Sequence, residues 1–171
     1  MANTYKAIAT VTVGSGGADT ITFTSIPNTY TDLLLKVSTR SNRSGGVWNA
    51  DEVTVNGSST SYSHRFIEGG DGIVTSSTNA AGYINLNSTG LLYTSTFGSS
   101  EIYIPNYTSS NNKSFSTDSV NEGNQANGVY SSLIASLWSD TSAITSITLT
   151  CRGVYEYVQY STATLYGIKN S

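Results

Sequence analysis

Residues able to do chemistry are scarce in this sequence. It holds one histidine, His64, and one cysteine, Cys151. A nucleophile–His–acid arrangement would need His64 beside a serine and a carboxylate. With 28 serines in the chain, some serine falls near His64 by chance. The Gly-x-Ser-x-Gly elbow that presents a nucleophilic serine is absent, so His64 reads as an ordinary strand residue. Cys151 is in phase with Ile147 and Leu149, the position of a small buried hydrophobe. Nothing in the sequence indicates the base that would activate its thiol.

The acids and glycines point no further. A glycosidase needs two carboxylates at a fixed separation, and no spacing singles out such a pair. Asp51-Glu52 reads as a solvated strand start. Gly69-Gly70-Asp71-Gly72 joins an acid to glycines but lacks the twelve-residue ligand spacing of a calcium hand. Gly14-Ser15-Gly16-Gly17 lacks the Lys-Ser/Thr of a phosphate loop and reads as a turn. The expectation is no enzyme, no catalytic residue, no metal and no cofactor.

What the chain has in quantity is uncharged polarity. Of 171 residues, 28 are Ser, 24 Thr and 15 Asn, while charged residues make up 11%, against about 25% in a typical soluble domain. Disorder goes with low hydrophobicity and high net charge. Here the apolar fraction is 37% and the net charge −3, so an ordered domain is expected. Twelve tyrosines bring apolar rings with polar tips, suited to protein interfaces and to sugar platforms. Tyr103 and Tyr107 flank Pro105, and Tyr155, Tyr157, Tyr160 and Tyr166 lie near the last strand.

Several partners are excluded. The eight Lys and Arg are scattered and form no basic stripe for nucleic acid. The apolar runs, such as Leu33-Leu34-Leu35, are far shorter than the roughly 18 residues of a membrane span. No apolar secretory segment opens the chain, and a lone cysteine forms no internal disulfide, so folding in a cytoplasm is expected.

The elements that carry these residues are strands. Period-two alternation places Ala7, Ala9, Val11 and Val13 on one face, then Ile21 with Phe23, and Leu33 with Leu35 and Val37. Asn56-Gly57 after Val53 and Val55 predicts a hairpin whose return strand carries Tyr62, His64 and Phe66. The stretch 75–88 is polar and hard to assign. Leu133, Ile134, Leu137 and Trp138 fit helical spacing, but the surrounding serine pairs and strand-rich context favour a buried strand. Ile147 to Cys151 and Tyr160 to Ile168 alternate again. The prediction is all-β: eight to ten antiparallel strands in one domain, 1–171, as a jelly-roll-like β-sandwich.

Five segments extend this reading: Ile21–Leu33, Glu101-Ile-Tyr-Ile-Pro-Asn-Tyr-Thr-Ser109, Asn112-Lys-Ser-Phe-Ser116, Ala143–Leu149 and Val158-Gln-Tyr-Ser-Thr-Ala-Thr-Leu-Tyr-Gly-Ile168. Together they resemble short virion structural proteins of tailed bacteriophages, especially those of marine and cyanobacterial hosts. The resemblance implies a jelly-roll-like sandwich in a virion, assembled in the host cytoplasm, on the head or at the tail. Two functions follow as expectations. One is a capsid decoration, or cement, protein that bridges capsomers of the major capsid protein, in many copies and as a homotrimer. The other is a tail fibre or receptor-binding protein that recognises host surface glycans, with Trp48 in a loop as its platform. The candidate partner contacts are Tyr5, Lys6, Arg43, Trp48, Tyr107, Asn111 and Lys113, on the segment 1–6 and the loops 41–47 and 109–113.

Overall fold

A computed structural model describes residues 4–46, 48–70, 73–81, 84–90, 96–121 and 130–169. In chain order the strands are β1 Tyr5–Thr12, β2 Thr20–Phe23, β3 Asp32–Ser38, β4 Trp48–Val55, β5 Tyr62–Gly70 and β6 Ile73–Ala81. They continue with β7 Ile84–Thr89, β8 Ser99–Ile104, β9 Lys113–Asn121, β10 Tyr130–Trp138, β11 Ile147–Cys151 and β12 Thr162–Ile168. No helix occurs among the described residues. The expected all-β, antiparallel sandwich is what forms, with twelve strands among the described residues where the alternation predicts eight to ten. The difference is largest in the polar stretch 75–88, whose described residues, 75–81 and 84–88, belong to β6 and β7. Its backbone hydrogen bonds make strands without the apolar alternation that would announce them.

Eight strands follow one scheme. β1-β12-β3-β8 lie side by side in the larger sheet, and β2-β11-β4-β7 make the smaller one. Each strand of the first row is the chain neighbour of the strand at the same place in the second. A long antiparallel ribbon rolled over on itself gives this order, which is the jelly roll. The other four strands are two insertions. β5 and β6 come between β4 and β7, and β9 and β10 between β8 and β11. They continue the larger sheet beyond β8 as β9-β10-β5-β6, widening it to eight strands.

The core lies between the sheets of the jelly roll. Leu33, Leu35, Val37, Ile102, Ile104, Ala163 and Leu165 of the larger sheet meet Ile21, Phe23, Val53, Val55, Ile84, Ile147 and Leu149 of the smaller one, all buried. Burying such an aliphatic side chain stabilises by about 1.5–3 kcal/mol. Tyr30 packs against this cluster with its ring over Gly167, where a Cβ would come within 2.3 Å of the ring. Only glycine lets the ring settle there.

Two local expectations are corrected. In β1 a bulge between Ala7 and Ala9 changes the phase, so Ile8 and Val11 turn toward the core rather than the alanines. Asn56-Gly57 makes a tight turn, both residues having positive φ, with Ser58 N donating to Val55 O at 2.9 Å. The strands it joins do not pair, however. β4 pairs with β11 and β7, and β5 with β10 and β6. The Asn56 side chain is held instead by the loop before β11. Its Nδ2 donates to Ala143 O at 2.8 Å, and its Oδ1 accepts from Thr145 N at 2.8 Å and Ser146 N at 3.2 Å. The turn therefore carries the chain from one sheet to the other.

Candidate interaction surface

His64 on β5 stands opposite Ser136 on β10, and both are buried. Ser136 Oγ has no hydrogen-bond partner, so the serine–imidazole bond that activates a nucleophile is not made. Burial lowers the His64 pKa below its ordinary value, which keeps the ring neutral at pH 7. Cys151 is buried and accepts a weak hydrogen bond from Asn49 Nδ2 at 3.4 Å. Burial, and then the nearby Asp51, push its thiol up to about 12, so it carries no thiolate near neutrality.

Asp51 overturns the reading of a solvated strand start. It is fully buried, across from Cys151 in the β4–β11 register. Alternation along β4 turns Asn49, Asp51, Val53 and Val55 inward together. Glu52 faces outward and pairs with Arg152 at 3.4 Å. Among the described residues no group of His, Cys, Asp or Glu could hold a metal ion. Asp71 and Gly72 of the glycine-rich turn lie outside the described residues.

The seven expected contact residues do not share one surface. Tyr5 and Lys6 are exposed on β1, an edge strand of the larger sheet. Arg43 is half-buried in the β3–β4 connection, with its guanidinium 5.9 Å from the centre of the Tyr155 ring. Trp48 is the first residue of β4, paired with Thr89, rather than a loop platform. The β4 ladder extends that far because β7 supplies partners from Trp48 to Val53.

Asn111 is exposed at the opposite end of the sandwich, in the β8–β9 connection. Tyr107 and Lys113, in and just after that connection, are both buried, which removes them as surface contacts. The turn after Pro105 places Asn106 at positive φ and directs Tyr107 into the core. There its hydroxyl donates to Pro27 O, while its own carbonyl accepts from Ile144 N. Lys113 Nζ donates to the carbonyls of Ser109 (2.8 Å) and Asn111, so its ammonium closes the loop. Burial lowers its pKa.

Exposed bulk collects elsewhere. Among the described residues, the large apolar side chains left exposed in strands are Tyr5, Ile67, Val74, Tyr103, Val120 and Leu133. The strand registers put all six on the outer face of the eight-stranded sheet, away from the core.

They form two groups. On the jelly-roll half, Tyr166, Leu34 and Tyr103 stand side by side across β12, β3 and β8, with Tyr5 nearby. Leu34 is buried beneath this layer although it faces outward. Beside it runs an open groove of about 570 Å³, lined by Lys36, Glu101, Asp118, Thr162, Thr164 and Tyr166. Lys36 and Glu101 pair at 2.9 Å across it. On the inserted half, Leu133 and Ile67 stand directly opposite each other, 57% and 58% exposed. Val120 and Val74 occupy the next row.

Sequence reasoning expected β10 as a buried strand and missed its exposed face for a traceable reason. β10 reads Tyr-Ser-Ser-Leu-Ile-Ala-Ser-Leu-Trp, apolar on both phases of the alternation. That is why it resembles a helix by spacing. Ile134 and Trp138 satisfy the inner face, which leaves Leu133 outside.

No family model matches the chain, and no curated protein matches it. Among solved structures it aligns with the crystal structure of an infectious bursal disease virus VP2 subviral particle, at 19% identity and a TM-score of 0.15. The alignment covers 96% of this chain and 40% of the other, so the chain spans less than half the length of that protein. A likeness at this level carries no argument.

Proposed function

We propose that this chain is a virion structural protein, and specifically a capsid decoration protein that docks on the shell through the tyrosine-lined half of its outer face. The observation that carries the reading is the concentration of exposed large side chains on one face of a wide sheet. Contiguous exposed apolar surface marks a site of interaction, and tyrosines mixed with a few charges are the composition of a protein interface. The mechanism is mechanical. Subunits placed across neighbouring capsomers add buried area between them and resist their separation.

The test is to add the purified protein to shells that lack it and to image them. Density at capsomer junctions is expected, and it should be lost with Tyr103→Ala together with Tyr166→Ala. Failure of the unmodified protein to bind shells defeats the reading.

The groove supports a second reading, recognition of host glycans from the tail. Tyr166 offers a ring, and Lys36, Glu101, Asp118, Thr162 and Thr164 offer hydrogen-bonding groups along an open channel. Binding on a glycan array, lost with Tyr166→Ala, would favour it. Labelled protein found only on the shell would exclude it.

A further inference from the structure

We infer that the inserted half of the outer face is a self-association surface, on which a second copy of this chain packs sheet against sheet about a two-fold axis. The strip has an aliphatic middle. Leu133 and Ile67 are cross-strand neighbours, and in the next row Val120 and Val74 flank Ser131 and Gly69. All four aliphatic side chains are exposed, Val74 to 77%. A shallow hollow of about 470 Å³ lies over Arg65, Ile67, Leu133, Ala135 and Thr78. Exposed aliphatic surface of this kind on a soluble domain is characteristic of a docking site, and stacked sheets readily bury such faces in aligned packing.

The charges identify the occupant. From β9, β10, β5 and β6, the charged residues that face outward are Asp118 and Arg65. They lie on opposite sides of Leu133: Asp118 beside it on β9, Arg65 across β10 on β5 and one row along. A two-fold axis lying in the interface along β10 sets β9 of each copy over β5 of the other. Asp118 of each copy then comes within reach of the long Arg65 side chain of the other, on both flanks of the aliphatic middle. A surface with one charge of each sign on either side of an apolar centre is complementary to itself when turned over. Arg65 Nη1 already donates to Thr78 Oγ1 at 3.0 Å, which holds the guanidinium along the sheet. The net charge of −3 adds little repulsion between copies. This pairing is two-fold, unlike the trimer that the resemblance implies.

Sedimentation equilibrium of the full chain over a wide concentration range tests it, with circular dichroism to check that each variant folds. A reversible monomer–dimer equilibrium is expected. Leu133→Asp should raise the dissociation constant at least about thirtyfold, the loss of a central anchor. Arg65→Glu and Asp118→Lys should each raise it about tenfold, and the double variant R65E/D118K should recover most of the affinity. A chain that stays monomeric throughout overturns the inference, as does an oligomer indifferent to Leu133→Asp. Failure of the double variant to recover, or a trimer, overturns the two-fold arrangement.

Discussion

Both halves of the outer face expose apolar side chains, and they hold them in different ways. On the jelly-roll half the exposed ring of Tyr103 is tied down. Asp32, itself buried, accepts from Tyr103 Oη at 2.8 Å through one oxygen and from Asn106 N at 2.9 Å through the other. Leu34 seals the gap beneath the rings. On the inserted half, Leu133, Ile67, Val120 and Val74 have no polar tether and simply stand on the sheet. The difference teaches how to read exposure. A ring anchored by a buried acid presents a shaped surface suited to a specific partner, whereas untethered aliphatics gain from any apolar cover of the right geometry.

The sharpest way to break this contrast is to cut the tether. Asp32→Ala should lower the unfolding free energy in urea by about 1–3 kcal/mol, because it leaves partners of a buried acceptor unsatisfied. An unchanged midpoint would mean the tyrosine half is as loosely held as the other.

A second test uses alkali. The hydrogen bond to Asp32, then burial and the charge of Asp32, push the Tyr103 phenol from 10.0 up to about 12. Its folded pKa is raised, so its contribution to stability is complete below pH 10 and fades as pH rises through about 12. Tyr103→Phe should flatten that alkaline fall in thermal midpoint. An identical pH profile would show that the bond to Asp32 contributes little.

On the other half, Leu133→Ser should leave the stability of the dilute chain within about 0.5 kcal/mol, measured below the concentration at which copies associate. A larger loss would mean that Leu133 packs within its own chain. The smallest effect is expected at the groove. Lys36 and Glu101 are both well exposed, and an exposed pair is screened by water and salt. Lys36→Ala should leave the unfolding midpoint unmoved, although it changes the charge of the groove.

Much of the fold was legible because its signals are local. Leu33, Leu35 and Val37, like Ile147, Leu149 and Cys151, alternate cleanly and face the core as alternation requires. Pro105 ends β8 as its missing N–H predicts. The expected contact residues were less legible. A tyrosine or a lysine beside a turn looks like a surface residue, and nothing local reveals that Pro27 and the carbonyls of Ser109 and Asn111 await Tyr107 and Lys113. Asp51 was misread for the same reason. An acid next to Glu52 looks solvated until the strand's phase, set by Val53 and Val55, turns it inward.

By itself the sequence determined that this chain is a β-protein with an uncharged polar surface, because residue type and period two act over a few neighbours. It also determined the scarcity of catalytic groups, which is a matter of composition. Tertiary structure alone decided which strands are neighbours. β1 meets β12, and β5 meets β10, pairings between segments far apart in the chain that depend on the whole core closing at once. The two-part outer face exists only through those pairings. Leu133 and Ile67 are separated by more than sixty residues in the sequence and become one surface only when β5 and β10 lie side by side.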